Sequence, residues 1–220
     1  MDEWASLVKN DFDFGWKKWK YVPETARFAL EHQMGDILDI GCATCQLYSF
    51  LKKKGWIGNY YGVDAVEYKG YNYPDSVNLT IGNALDLEFP RVDTVVLYDI
   101  LEHVDRPITL LKKSIDCSRH NVLISVPRRN EELWALGVVE FHQLDKSHKH
   151  CGFSKEEVHK LVDLSGGEVH AYREYGALDA SLGVNLWKGR VPKAALYGLK
   201  LLFSSRSYCS GILCEVVKHA

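Results

Sequence analysis

The stretch Ile37-Leu38-Asp39-Ile40-Gly41-Cys42-Ala43-Thr44-Cys45-Gln46 constrains the fold more than any other. A short apolar run ends in an acid, a glycine turn follows, and Leu47, Phe50 and Leu51 then recur at helical spacing. Such a strand, tight turn and helix open a nucleotide-binding α/β sheet. Gly41 allows a ligand to approach the main chain closely, because it has no Cβ. Dinucleotide binding needs G-x-G-x-x-G, so that a pyrophosphate can sit against bare amides at the helix start. Here Ala43 and Cys45 fill later loop positions and Gln46 the sixth, which makes a poor pyrophosphate cradle. An acid at the strand end would also repel a diphosphate, whereas it suits a ligand carrying an ammonium and a sulfonium.

Further apolar runs continue the alternation. Strands are expected at Tyr60–Asp64, Val77–Ile81, 93–99 and 121–127, with a helix over 108–114 and another over 24–33. Asp64 falls about 25 residues after Asp39, near the offset at which a strand-two acid holds a ribose diol. One carboxylate offers two acceptor oxygens to two hydroxyl donors. Ser154-Lys155-Glu156-Glu157 has the S-x-x-E capping-box pattern and opens a helix to Leu164, which Gly166 stops. Strands around 168–175 and 211–217 close the chain. Strand–helix alternation predicts a parallel sheet whose ligands lie beyond the strands' carboxyl ends. Asp39, Asp64, Asn83 and Asp99 all fall there.

Leu38-Asp39-Ile40-Gly41-Cys42 resembles the first motif, (V/I/L)-L-D-(I/V)-G-C-G-x-G, of the class I S-adenosylmethionine-dependent methyltransferases. Gly82-Asn83-Ala84 looks like the family's third motif, usually G-D-A. Asp99-Ile100-Leu101-Glu102-His103-Val104 resembles its fourth, (D/N)-V-(L/I)-E-H-(V/L), and Ile124-Ser125-Val126-Pro127 its I-S-V-P-N pattern. The likeness runs in order from Ile37 to Pro127. It implies a doubly wound, mostly parallel seven-stranded sheet with a reversed last strand. It also implies one methyltransferase domain over 1–220: an aromatic, helical segment over 1–34, a cofactor half over 35–127 and a substrate half over 128–220. The cofactor would be S-adenosylmethionine. Asp39, Gly41 and the Asp99 region with Ile100 would hold its methionine end, Asp64 its ribose, and Asn83 with Ala84 its adenine; Leu101 would flank either the ring or the methionine moiety, and Cys42, Ala43 and Ala65 would also line the cofactor. The spacing of the first loop leaves a nicotinamide dehydrogenase as the weaker reading.

Asp145 to Ser154 resembles the D-x-x-H-x-x-x-(F/Y)-(S/T) stretch that lies beside the active site in many small-molecule members, with His148 at the matching position. A methyl acceptor's OH or NH must lose a proton, and histidine suits that at neutral pH. His103 and His148 are therefore the candidate catalytic residues. The alternative is that positioning supplies the catalysis and His103 orients the cofactor loop. Asp99, Glu102, His103 and His150 also loosely resemble the ligand set of metal-dependent RNA 3′-end 2′-O-methyltransferases. Asp99 stands where their first Glu is found, and D-x-x-E-H is common in members without metal, so no metal is expected. The expected function is methyl transfer to an oxygen or nitrogen of a small molecule. A silent S-adenosylmethionine-binding protein is the alternative, because Ala43 and Cys45 add side chains to the loop; a metal-dependent RNA 2′-O-methyltransferase is the lesser one.

The rest of the sequence narrows the setting. A net charge of −2 over 220 residues gives no general nucleic-acid field. No apolar run reaches the ~18 residues of a membrane span, and no secretory signal is visible at Met1-Asp2-Glu3, so a cytoplasmic location is the default. Cys42 and Cys45 form a C-x-x-C pair without a second pair, and reduced structural cysteines are expected. Trp4, Phe12, Phe14, Trp16, Trp19 and Tyr21 either pack on the sheet edge, the favoured reading, or form a lid. A basic helix over 191–203 is expected to pack between the last two strands, with membrane-surface contact through 188–206 as the other reading. The acceptor's identity and the oligomeric state leave no pattern.

Overall fold

A computed structural model describes residues 24–131, 135, 145–176 and 209–219. The aromatic segment 1–23, Trp134, Phe141, His142 and the basic stretch 191–203 lie outside them. In chain order the elements are α1 (Glu24–His32), β1 (Ile37–Ile40), α2 (Gln46–Lys53), β2 (Tyr60–Asp64), β3 (Val77–Ile81) and β4 (Val92–Tyr98). They continue as α3 (Pro107–Cys117), β5 (Ser118–Pro127), α4 (Lys155–Leu164), β6 (Gly167–Tyr175) and β7 (Gly211–Lys218).

The seven strands form one sheet in the order β3-β2-β1-β4-β5-β7-β6. β1 pairs parallel with β2 and β4, β2 with β3, and β4 with β5. β7 is the reversed strand, antiparallel to both β5 and β6. It enters between its neighbours and leaves β6 at the edge. Strand order reverses between β1 and β4, and ligands of open α/β sheets bind beyond the carboxyl ends at such a point.

Period-two alternation divides the core between the two faces. Leu38, Ile40, Val95, Leu97, Val122, Ile124 and Val216 pack with α3 and α4 residues such as Leu110, Leu111, Ile115, Val158 and Val162. Ile37, Val96, Leu123 and Leu213 face the other way, against Ala26, Phe28 and Ala29 of α1 and Leu47, Phe50 and Leu51 of α2. The inner strands are therefore covered on both sides and read as near-continuous apolar runs. Asp39 shares the face of Ile37, so its carboxyl enters an apolar layer.

The expected ends of β2 and β3 match the structure. β5 starts earlier than expected, at Ser118, because parallel pairing of Val92 with Ser118 carries the ladder into a polar segment. The capping box of α4 is formed: Ser154 Oγ accepts from Glu157 N at 3.2 Å, and Glu157 Oε2 accepts from Ser154 N at 2.8 Å. No helix among the described residues is long and apolar enough to cross a membrane.

Candidate active site

The loop from β1 to α2 holds three left-handed residues: Gly41 at φ +82°, Ala43 at +46° and Cys45 at +55°. Ala43 and Cys45 thus adopt a backbone shape that glycine takes without strain. Gly41 N and Cys42 N both donate to Val63 O, at 2.7 and 3.1 Å. A Cβ on Gly41 would meet Ile100 side-chain atoms at 3.2–3.3 Å, which keeps bare backbone facing the β4 loop.

Ala43 isolates the cost of this conformation. Left-handed alanine is strained by ~1–2 kcal/mol, while glycine loses ~0.4–1 kcal/mol through its freer unfolded chain. Ala43→Gly is therefore expected to stabilise the protein by up to about 1 kcal/mol and raise Tm by roughly 2–4 °C. A thermal melt checks this; a lower Tm would mean that the loop stores no strain at Ala43.

Cys42 and Cys45 are buried and free, with Sγ atoms 3.6 Å apart. They fill the space over Gly62, where a Cβ would lie 2.9 Å from Cys42 Sγ and 3.3 Å from Cys45 Sγ. Their mutual hydrogen bond, and then burial, push the Cys42 thiol far above its usual range, which disfavours the reactive thiolate. The pair packs the loop onto β2.

Asp39 is 5% exposed, and Tyr60 Oη donates to its Oδ2. Burial raises its pKa to about 7, the Tyr60 bond opposes the rise, and Asp64 adds to it. Asp64 Oδ2 accepts from Ala43 N at 2.8 Å, and Oδ1 accepts from Val66 N at 2.9 Å. Its carboxylate therefore ties the β1 loop to the β2 loop and keeps a second lone pair on each oxygen. Desolvation raises its pKa as well.

Asn83 Oδ1 accepts from Leu85 N at 3.1 Å, and Asn83 Nδ2 donates to Asp86 at 2.8 Å. Lys113 Nζ from α3 holds the carbonyls of Ala84 and Leu85 at 3.3 Å each, and that of Leu87. This lysine is a residue that sequence reasoning missed; it lies on a helix 26 residues or more from the loop it fastens.

At the end of β4, Asp99 adopts φ +51°. Ser125 Oγ donates to Asp99 Oδ1 at 2.8 Å and lies 2.9 Å from Tyr175 Oη. With the serine proton given to the carboxylate, Tyr175 donates to Ser125. The residue surface of Asp99 is exposed, yet desolvation of its carboxyl still raises its pKa. Tyr98 Oη is buried with no hydrogen-bond partner among the described residues, within electrostatic reach of Asp39 and Asp99. An orphaned hydroxyl between two strand-end acids, beside a bare Gly41, fits a ligand with cationic and hydroxyl groups.

The segment 145–153 closes onto this edge. Lys149 N and His150 N donate to Glu102 O at 2.8 and 3.1 Å, and Phe153 N donates to Pro127 O at 2.9 Å. These bonds bring His148 beside His103, with ring centroids 4.6 Å apart. His103 Nδ1 lies 3.3 Å from Ser147 O. A carbonyl only accepts, so the proton of neutral His103 is on Nδ1 and its lone pair on Nε2. Burial lowers the His103 pKa, which favours that neutral form. His150 goes elsewhere, its Nε2 3.2 Å from Val104 O. The histidine that joins Glu102 and His103 is thus His148, not the His150 of the sequence likeness.

The sequence pattern of the methyltransferase domain matches residues 17–172, more than half of the chain. The chain belongs to the methyltransferase-domain family. Its sheet, with the reversed β7, is that of a class I methyltransferase, and the cofactor such a domain implies is S-adenosylmethionine. Among solved structures it is similar to Burkholderia thailandensis 1,6-didemethyltoxoflavin-N1-methyltransferase, crystallised with bound 1,6-didemethyltoxoflavin and S-adenosylhomocysteine. That pair shares 14% identity over 100% of this chain and 90% of the other, with TM-score 0.61. A SAM-dependent methyltransferase from Archaeoglobus fulgidus shares 15% identity over 98% of this chain and 94% of the other, with TM-score 0.57. The [4+2]-cyclase SpnF shares 12% identity over 88% of this chain and 78% of the other, also with TM-score 0.57. At these identities the likeness is one of fold, and a cyclase among the neighbours shows that the fold alone does not set the reaction. No curated protein matches the chain.

Proposed function

We propose that this methyltransferase transfers a methyl group from S-adenosylmethionine to an oxygen or nitrogen of a small molecule. The observation that carries the reading is the line of polar groups at four successive strand ends, Asp39, Asp64, Asn83 and Asp99, beside the bare backbone at Gly41. In this reading Asp39, Gly41, Cys42, Ala43, Asp99, Ile100 and Leu101 hold the methionine end. Asp64 and Ala65 hold the ribose, and Asn83 and Ala84 the adenine. When bound, S-adenosylmethionine supplies a methyl group already activated on a sulfonium, so the protein's own task is placement and proton removal.

His103 and His148 sit on the acceptor side. The lone pair on His103 Nε2 can take the acceptor's proton, while Ser147 holds the tautomer. A base of this kind contributes ~10²–10⁴-fold. Once an acceptor is in hand, His103→Ala or His148→Ala is expected to lower kcat by about that factor with little change in cofactor affinity. Turnover within a few-fold of wild type in both variants would remove the histidines from proton transfer.

The left-handed backbone at Ala43 and Cys45, a conformation that glycine adopts freely, favours cofactor binding over a closed, silent pocket. Calorimetric titration with S-adenosylmethionine, S-adenosylhomocysteine and NAD tests the reading. Micromolar binding of the first two without NAD is expected; absence of both overturns it. Binding without methyl transfer across broad acceptors would favour the silent alternative. A small molecule in the cytoplasm remains the expected acceptor and setting.

A further inference from the structure

The geometry points to a divalent-cation site built from Glu102, His103 and His148, with a borderline ion such as Zn²⁺, Co²⁺ or Mn²⁺ as its ligand. One donor atom from each residue lies within 4.8 Å of the other two. Three donors that share an ion at ~2.0–2.2 Å lie about 3.3–3.8 Å apart in tetrahedral or trigonal geometry, so side-chain rotations that move the donors by up to about an ångström bring the three together. Two imidazoles and one carboxylate suit several first-row ions, and three protein ligands leave positions open on the acceptor side.

The carboxylate is placed as a ligand would be. Glu102 is 1% exposed, and its Oε2 is buried with no hydrogen-bond partner among the described residues. Burying a carboxylate without a partner is costly. A cation between Glu102 and the two rings would satisfy that oxygen. Its backbone is fixed independently, since the Glu102 carbonyl accepts the amides of Lys149 and His150.

Outer groups set both rings. The Ser147 carbonyl at 3.3 Å keeps the His103 proton on Nδ1, which puts the ring's lone pair on Nε2. Asp145 Oδ2 lies 3.7 Å from His148 Nε2, where a carboxylate favours a proton on that nitrogen. Ser147 N and Oγ hold Asp145 Oδ1 in turn, at 2.9 and 2.6 Å. Carbonyl and carboxylate partners of this kind orient metal-binding histidines and fix their tautomers. An occupied site would use the histidine lone pairs on the ion, and an open coordination position would then make an acceptor hydroxyl more acidic, in place of a histidine base.

Cation binding requires neither cofactor nor acceptor, so its test is separate from that of methyl transfer. The purified chain is stripped with chelator, exchanged into chelator-free buffer and titrated with Co²⁺ and Zn²⁺. One equivalent is expected to bind, with a cobalt spectrum of nitrogen and oxygen ligands and without the intense thiolate band that Cys42 and Cys45 would produce. Glu102→Gln and His148→Ala should each weaken binding at least tenfold. Nitrogen couplings from two imidazoles in the Mn²⁺ resonance of the unaltered protein give the same answer if a variant fails to fold. Absence of one-equivalent binding, a thiolate spectrum, or affinity unchanged in both variants overturns the site.

Discussion

Asp39→Asn is expected to stabilise the protein at pH 8 while weakening its hold on S-adenosylmethionine. The Asp39 carboxyl is buried, and its pKa rises from the usual 3.8 to about 7. The native state therefore keeps a proton that the unfolded chain has shed. The stability from this group is fully present below pH 3.8 and is lost as pH rises to about 7. At ~1.4 kcal/mol per pH unit, the loss amounts to about 4 kcal/mol by neutral pH. Asparagine has the same shape, can accept from Tyr60 Oη and carries no charge. Denaturant unfolding at pH 5 and pH 8 checks the effect: the stability difference between variant and wild type should grow by about 3 kcal/mol in the variant's favour, the rest of the loss falling below pH 5. Histidines that titrate in both proteins cancel in that difference. An ammonium or sulfonium near Asp39 would draw the pKa back down, so wild-type cofactor affinity should tighten as pH rises towards 7 while that of the variant stays flat. A stability difference independent of pH would show that Asp39 is ionised at no cost.

Asp64→Ala should weaken cofactor binding by more than tenfold, or about 1.4 kcal/mol. The side chain has two tasks, and the measurement has to part them. Its oxygens hold the half-buried amides of Ala43 and Val66, and losing such a hydrogen bond costs ~1 kcal/mol. A drop in stability is therefore expected beside the loss of affinity. A 2′-deoxy analogue of S-adenosylhomocysteine separates the two effects. Wild type should bind it more weakly than the parent compound, whereas the alanine variant should bind both alike. If the variant still discriminates between them, Asp64 shapes the loop and the ribose is held elsewhere. Unchanged affinity for the parent compound would refute the ribose assignment outright.

These two carboxylates differ in how far local sequence reveals them. Both positions follow from apolar runs that end in an acid, and the ends of β2 and β3 were legible because period-two patterning and turn residues are local properties. The capping box at Ser154 and Glu157 was legible for the same reason, since its partners lie within one helical turn. The start of β5 was not. Ser118, Arg119 and His120 carry no strand pattern and are extended because β4 offers them a parallel partner.

By itself, the sequence determined the α/β class, the order of the strand-end polar groups and the family, through contiguous motifs whose chemistry lies within a few residues. Only the tertiary structure decided that Tyr60 donates to Asp39, that Lys113 fastens the loop at Ala84 to Leu87, and that Tyr175 reaches Asp99 through Ser125. It also decided between two histidines two residues apart. The amides of Lys149 and His150 dock on the Glu102 carbonyl, which turns His148 towards His103 and leaves His150 against Val104. The reason is physical: these contacts depend on the pairing of strands far apart in the chain and on which way a docked loop faces, and no local periodicity records either.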